Sequence, residues 1–386
     1  MNALTSLPTM VSPSILHLRS SAGLYGADRM VLTLNHALAR ADISSRLLSI
    51  NNYLMREQPL HDAARKLGHD AELLPCRGRF DPRTMSTLAA TIAAHDSPVL
   101  HAHDYKSAFY AWLASRRRRT PLVATLHGRV ETSRSLRLYN QVELALLRRF
   151  DALVVVAHAQ IDSLLQAGIE PARIHQVDNA IPSPPAVGDV SPSLRNEFGL
   201  DRAKYVFGAV ARLSPEKNLS MLLAAFAALA AGRPGVALAI AGDGPERTAL
   251  EAQANELGLG ACVHFLGARS DMERIYPLID CLVLPSLSEG MPLVVLEAMA
   301  RTLPVIASAV GDVPRLLSHS AHGRMVPPGN PEALYQALMA AASEPGRRDQ
   351  CARNYVLHHH SPAVMAERYL DVYRSLPVHG HGRKIS

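Results

Sequence analysis

Two carboxylates eight residues apart, Glu289 and Glu297, stand in the segment Pro285-Ser286-Leu287-Ser288-Glu289-Gly290-Met291-Pro292-Leu293-Val294-Val295-Leu296-Glu297-Ala298-Met299. The segment reads as a strand end, a short loop and a helix beginning near Pro292, where proline in the first helical turn costs nothing. Glu289 falls on the loop and Glu297 just over one turn into the helix, so the two can line one pocket at different depths. A carboxylate can accept both vicinal hydroxyls of a nucleotide ribose, each charged hydrogen bond being worth about 1.5–3 kcal/mol. Alone, Glu297 reads equally as part of a solvated helix face. Arg212-Leu213-Ser214-Pro215-Glu216-Lys217-Asn218 follows the first strand of the second half, where an α/β sheet places a phosphate-binding turn. Arg212 and Lys217 are singly surface cations. With the Glu289 loop, which the same topology brings to the same edge, they read as a pair that neutralises a pyrophosphate leaving group. That also argues against a glycosidase reading of the glutamates: hydrolysis needs a positioned acid with a raised pKa, whereas a departing diphosphate needs cations.

In the first half, Gly23-Leu24-Tyr25-Gly26-Ala27-Asp28-Arg29 is a glycine-bearing turn that opens a helix. Its free N–H groups and the positive end of the helix dipole suit an anion or a sugar, or the turn is a bare cap. His127, just past the strand Leu122 to Leu126, reads from its position as either a core or a functional histidine. No GxGxxG follows a strand and no GxxxxGK[ST] occurs, which removes the dinucleotide oxidoreductases and P-loop NTPases. Cys76, Cys262, Cys281 and Cys351 form no CxxC pair, so they read as buried thiols rather than a disulfide framework or zinc knuckle. The run His358-His359-His360 reads as a surface tract, because adjacent residues on a helix do not share a face, and no metal site is expected.

The elements that must carry these residues alternate regularly. Short apolar runs at Ile15 to Leu18, Leu47 to Ile50, Ala71 to Leu74, Val99 to His101, Leu122 to Leu126 and Leu153 to Val156 are separated by amphipathic segments. A second series runs through Tyr205 to Val210, Val236 to Ala241, Val263 to Leu266, Cys281 to Leu284 and Val305 to Ala307, with helices at Leu219 to Ala231, from Glu246, and at Leu293 to Arg301. Such alternation implies parallel sheets covered by helices, with ligands beyond the carboxyl ends of the strands. The text Pro-Ser-Pro-Pro-Ala-Val-Gly-Asp-Val-Ser-Pro from Pro182 to Pro192 suits neither a helix nor a central strand. The expected organisation is therefore an α/β chain with two Rossmann-like parallel-sheet domains, 1–182 and 195–361, joined by a linker at 183–194. A last helix over 362–376 is read as joining the first domain.

At 48% hydrophobic and 19% charged residues, the chain can bury sizeable cores and is neither disordered nor fibrous. No apolar run approaches the ~18 residues of a membrane span, and the start lacks the basic and apolar regions of a secretory signal, so a cytoplasmic location is expected. The net charge of +6 lies wholly in the first half: 21 basic against 15 acidic residues up to Pro182, and 19 against 19 beyond. One domain is therefore expected to meet an anionic surface or substrate. Nucleic acid is the weaker reading, since aromatics make up 5% and no RNP, KH or zinc-finger pattern occurs. Arg116 to Arg119 and the segment Ser135 to Phe150, with Leu136, Tyr139, Leu144, Leu147 and Phe150 among Arg137, Arg148 and Arg149, are candidates for docking on an anionic membrane face. The arginine run equally complements a helix dipole.

Taken together, these residues resemble the retaining glycosyltransferases of the GT-B fold, family 4. The resemblance rests on the turn Gly26 to Arg29, His127-Gly128, Arg212 with Lys217, and the E-x7-E pair Glu289 and Glu297. Ala241-Gly242-Asp243-Gly244-Pro245, Val177 to Ile181 and Gly311-Asp312-Val313-Pro314 also match. It implies a GT-B architecture of two domains facing a cleft and a nucleotide-diphosphate sugar as co-substrate, with no further cofactor. In that resemblance Gly26 belongs to the donor site. Arg212 and Lys217 hold the diphosphate, Glu297 the ribose, and Glu289 with the N–H groups of Gly290, Met291 and Leu293 the donor sugar. His127 meets a sugar hydroxyl, and Arg269 lies beside the base. Tyr25 replaces one glycine of the usual pair, a variant similar to members that build exopolysaccharide or lipopolysaccharide. The implied acceptor is a saccharide or polyprenyl-linked saccharide at the inner membrane face. The absence of an Asp-x-Asp motif implies transfer without a metal ion. An epimerase of the same fold and a non-enzymatic nucleotide-sugar-binding subunit remain as alternatives.

Overall fold

The computed structural model describes residues 14–377, except 22, 97, 117, 128–143, 185–191 and 345–347. The chain divides into two compact units, Met1–Asn179 with Pro362–Ser386, and Ala180–Ser361.

The first unit is built on β1 (Ser14–Arg19), β2 (Ser45–Asn52), β3 (Ala71–Cys76), β4 (Pro98–Ala102), β5 (Leu122–Leu126), β6 (Ala152–Val155) and β7 (Ile174–Gln176). They form one parallel sheet in the order β3-β2-β1-β4-β5-β6-β7. Strands β4, β5 and β6 are buried along their whole length, as a parallel sheet covered on both faces requires. The chain leaves β1 towards β2 on one side and returns as β4 on the other. The loops after β1 and β4 therefore diverge at a topological switch point, the usual place for a ligand. The helix Pro362–Ser375 packs in this unit, with Tyr369 and Tyr373 fully buried.

The second unit repeats the plan with β8 (Tyr205–Val210), β9 (Val236–Ala241), β10 (Val263–Gly267), β11 (Cys281–Leu284), β12 (Val305–Ser308) and β13 (Gly323–Val326). Their order is β10-β9-β8-β11-β12-β13, so its switch point lies between β8 and β11. Ten of the fourteen residues of the helix Leu219–Gly232 are Ala or Leu, the strongest helix formers. Its buried Leu219, Leu222, Leu223, Phe226 and Leu229 recur at helical spacing, each large side chain contributing about 1.5–3 kcal/mol on burial.

Several readings need correction. The helix Pro192–Glu197 begins inside the stretch read as linker, because proline fits the first turn of a helix as well as a linker. The remaining linker residues, 185–191, lie outside the described residues. Of the four thiols only Cys76 and Cys281 are buried; Cys351 is exposed. His358 and His359 are exposed at the end of the helix Gln350–His359, but His360 is buried. The proposed interfacial segment is described only from Leu144 onward, and there Leu147 and Phe150 are 2% and 1% exposed within the core of the first unit. Those side chains do not face a membrane.

Candidate active site

In the second unit, the loops after β8 and β11 meet at the switch point. After β8, the chain makes a single 3-10 turn, Pro215–Lys217, closed by the Lys217 N–H donating to the Ser214 carbonyl at 2.9 Å. Asn218 then adopts a left-handed φ of 51°, which asparagine tolerates better than most residues, and starts the helix Leu219–Gly232. The Leu287 N–H donates to the Glu216 carbonyl at 2.8 Å, tying this turn to the loop after β11. The outcome is an ion pair between the two sequence-predicted groups: Lys217 Nζ lies 2.6 Å from Glu289 Oε1. Ser286 Oγ donates to the same oxygen at 2.7 Å, and the Glu289 side chain is only 9% exposed. Arg212, on the same loop, is exposed.

Two glycines make this packing feasible. At Gly311 (φ 55°) a Cβ would fall 2.4 Å from the carbonyl oxygens of Glu289 and Gly290, so only glycine lets the loop after β12 seat against them. The adjacent Asp312 N–H donates to the Gly290 carbonyl at 2.9 Å. At Gly242 (φ 147°) a Cβ would lie 1.8 Å from the Ala211 carbonyl oxygen, and the Leu213 N–H reaches the Asp243 carbonyl at 3.0 Å. The Ala241 to Pro245 text thus lets the β9 loop support the Arg212 loop from beneath.

Pro292 caps the helix Leu293–Ala300, which carries Glu297, and Met291 is buried just before it. Gly290, Met291 and Leu293 therefore lie at a helix N-terminus, where the first backbone N–H groups have no partner within the helix. Glu297 is half-buried rather than solvated. Its Oε2 accepts the hydroxyl of Tyr276, and Arg301 stacks on the face of that ring at 4.4 Å while donating to the Glu297 carbonyl at 3.1 Å. Neither Tyr276 nor Arg301 is foreseen from the motif, because Tyr276 arrives from the turn before β11. Arg269, past β10, is held by Asp271 through Nε at 2.8 Å and Nη2 at 2.5 Å, and lies over the Phe198 ring.

In the first unit, Asp28 locks the turn that opens the helix Gly26–Arg40. Its carboxylate accepts Arg19 Nε at 2.8 Å, Ser21 Oγ at 2.9 Å and the Tyr25 N–H at 2.9 Å. The Tyr25 ring folds back over Gly23, where a Cβ would fall 2.6 Å from it. At the switch point itself four histidines gather from three strands and the residues that follow them: His17 from β1, His101 from β4, His103 just past β4 and His127 just past β5. His17 Nδ1 lies 3.0 Å from His103 Nε2, and His103 Nδ1 lies 3.2 Å from His127 Nε2. His101 bonds Tyr373 through Nδ1 and Thr125 through Nε2, both at 2.7 Å. Burial keeps all four neutral, with His17 and His127 pushed down to about 3 and His101 and His103 well below their ordinary range. His17, His101 and His103 offer nitrogens within 4.8 Å of one another, a grouping that could hold a metal ion and that spacing in the sequence does not reveal. Gly128 lies outside the described residues.

Residues 25–183 match the family described as Glycosyltransferase Family 4, and residues 190–355 match the one described as Glycosyl transferases group 1. The chain is a glycosyltransferase built of a family 4 and a group 1 domain. The glycosyltransferase is 26% identical over 375 residues to the D-inositol 3-phosphate glycosyltransferase of Corynebacterium urealyticum, spanning 86% of this chain and 87% of that one. A protein of the same name from Mycobacteroides abscessus is 31% identical over 258 residues, covering 62% of this chain and 57% of its own length. Among solved structures, Anabaena HepE in complex with UDP and glucose superposes with a TM-score of 0.80 at 22% identity, over 94% of this chain and all of that one. WaaG, a glycosyltransferase involved in lipopolysaccharide biosynthesis, gives 0.68 at 17% identity, over 93% and 99%. At these identities the structural likeness carries the fold alone: two Rossmann-like parallel-sheet domains of the GT-B type.

Proposed function

We propose that this glycosyltransferase moves a hexose from a nucleotide-diphosphate sugar to a lipid-linked or oligosaccharide acceptor of bacterial surface polysaccharide synthesis, retaining anomeric configuration and needing no metal ion. The observation that carries this reading is the Lys217–Glu289 pair at the switch point. An arriving diphosphate competes for the Lys217 ammonium, which turns from Glu289 and, with Arg212, takes up the leaving-group charge. Glu289, released from its cation, accepts hydroxyls of the donor sugar, and Glu297, oriented by Tyr276, accepts the ribose hydroxyls. The bond from the anomeric carbon to the phosphate oxygen breaks as the acceptor hydroxyl attacks from the same face, and its proton passes to the departing phosphate.

The acceptor reading rests on the first unit. Leu24, Tyr25, Tyr53, Leu54, Met55 and Phe80 are six of the eleven large apolar side chains exposed among the described residues. They follow β1, β2 and β3, which lie side by side. Arg56, Arg77 and Arg79 are exposed on the same loops, Arg83 is exposed in the first turn of the helix Pro82–Ala93 that follows, and Lys106 sits 5.9 Å from the Tyr53 ring. Tyr53 and Leu54 hold φ values of 55° and 53°, a conformation that costs bulky residues of order 1 kcal/mol each and is characteristic of functional loops. Apolar tips among cations suit an anionic amphiphile such as a polyprenyl-linked sugar at the cytoplasmic membrane face. Among the described residues no helix is long and apolar enough to cross a membrane.

The names of the relatives favour a second acceptor, a small phosphorylated polyol, for which the arginines alone would suffice. Incubation with UDP- and GDP-hexoses in EDTA, offering a polyprenyl-diphosphate sugar or an inositol phosphate in parallel, separates the readings. Transfer to the lipid acceptor, with the anomeric configuration of the donor, is expected. Transfer only with added Mn²⁺ or Mg²⁺ would remove the role given to Arg212 and Lys217. Altered donor sugar without acceptor would mark an epimerase, and donor binding without transfer a binding subunit.

A further inference from the structure

The three histidines His17, His103 and His127 are joined head to tail, Nδ1 of one to Nε2 of the next. A neutral imidazole carries one N–H, so the middle ring donates one of these bonds and accepts the other. Both bonds must therefore point the same way along the chain. His17 Nε2 is buried with no partner among the described residues. If the chain runs from His17 towards His127, that atom is a bare acceptor; if it runs in reverse, it is a buried N–H with nothing to donate to. Orphaned buried N–H groups are the rarer of the two in folded proteins.

We propose that His17 and His103 form a hydrogen-bond relay that fixes His127 as the Nδ1-protonated tautomer, so that His127 presents a hydrogen-bond donor rather than a base. His103 and His17 are positioning residues in this assignment: they act on a ligand only through His127. Its Nε2 is taken by His103, which leaves Nδ1–H for anything outside the relay. Burial supports the assignment by keeping each ring at one proton, and the Arg19 guanidinium, which donates to the His103 carbonyl at 2.6 Å, opposes a second proton on His103 and His127 alike. His101 stands beside the relay, with its ring 4.0 Å from that of His103, but Tyr373 and Thr125 occupy both its nitrogens. A metal ion at His17, His101 and His103 would have to break bonds that the relay keeps, since only His17 Nε2 is unengaged. The catalytic consequence, though not the tautomer, rests on reading His127 as a contact of the donor sugar.

Long-range ¹H–¹⁵N correlation on the full chain labelled at histidine reads the tautomer directly, with His127 assigned by its loss in His127→Asn. The Nδ1–H pattern is expected in the unaltered protein. In His103→Leu the His127 signal should move to the Nε2–H form that a free imidazole prefers, with kcat falling about 10²-fold and the donor KM little changed. His103→Gln, which can still donate, should restore the Nδ1–H form and most of the rate. An Nε2–H pattern for His127 in the unaltered protein overturns the inference without any variant, as does a stoichiometric metal whose chelation shifts the His17 and His103 signals. A tautomer that switches in His103→Leu while transfer is unaffected leaves the relay standing and removes instead the contact between His127 and the donor.

Discussion

Lys217 and Glu289, assigned to two different parts of the donor, neutralise each other at 2.6 Å. Their substitutions should therefore not be additive. Glu289→Ala leaves Lys217 without its anion, so nucleoside diphosphate affinity should hold or rise slightly while turnover falls, by about 10²-fold for a lost transition-state contact. Glu297→Ala should instead weaken binding of the bare nucleoside diphosphate and the sugar nucleotide alike. Titration calorimetry with UDP checks both, and equal losses of affinity would show the two roles to be misassigned. Tyr276→Phe tests the group that sequence reading missed: it removes one hydroxyl from Glu297 and should cost about 1 kcal/mol of nucleotide affinity, roughly fivefold. The pair of glutamates was visible in the sequence because their spacing is local. Tyr276 was not, because its 21-residue separation from Glu297 is closed only by the crossing of β11. The same holds for His17, His101 and His103: the first two read as polar residues in strands and the third as the residue after one, until the sheet order sets β1 beside β4.

Elements were legible where burial is complete. Strands β5, β8, β9 and β11 run as the apolar runs read, since a central parallel strand is apolar on both faces. β7 and β13 were not foreseen: each ends its sheet, is only partly buried, and reads Ile-His-Gln or Gly-Arg-Met-Val, with no continuous apolar run. Leu147 and Phe150 show the opposite error. Apolar and basic residues alternating by helical spacing suit an interfacial helix and a core-facing one equally, and here the core takes the apolar face. The loops follow a third rule, that of backbone contact. Gly311→Ala should disable the donor site although residue 311 carries no chemistry, because its methyl would push apart the backbone at Glu289 and Gly290 and strain a positive φ. A loss of roughly 2 kcal/mol or more in stability, with nucleotide affinity reduced in the protein that remains folded, is the expected result by denaturant melt and calorimetry. Unchanged binding would separate the β12 loop from the site.

At the scale of the molecule, the two units differ in what titrates inside them. The first buries His17, His101 and His103 and partly buries His127, all held neutral by desolvation, and His61, His69 and His175 are lowered more mildly; among the described residues the second has the mildly lowered His264 and the buried His360. A histidine with a folded pKa below its unfolded value of 6.5 contributes stability that is fully present above that value. The contribution is lost as pH falls towards the folded pKa, here about 3 for His17 and His127, because the unfolded chain binds protons that the fold refuses. Asp104 in the first unit and Asp280 in the second, both raised by burial, work in the opposite sense, but the first unit sets one such group against four histidines. The lowered carboxylates Asp81, Glu216, Asp271 and Asp349 lose their contribution only below the ordinary carboxylate values of 3.8 and 4.5, so they leave the window from pH 7 to 5 to histidine. Calorimetry across that window should show the melting of the first unit falling faster than that of the second. Nucleoside diphosphate at 100 times its Kd should raise the second transition, by about 2.7 kcal/mol in stability, because its predicted contacts lie at the β8–β11 switch point. Acid and nucleotide therefore act on different transitions. A melt that moves equally in both units as pH falls from 7 to 5, or a nucleotide that protects only the acid-sensitive transition, would relocate either the buried histidines' protons or the donor site itself.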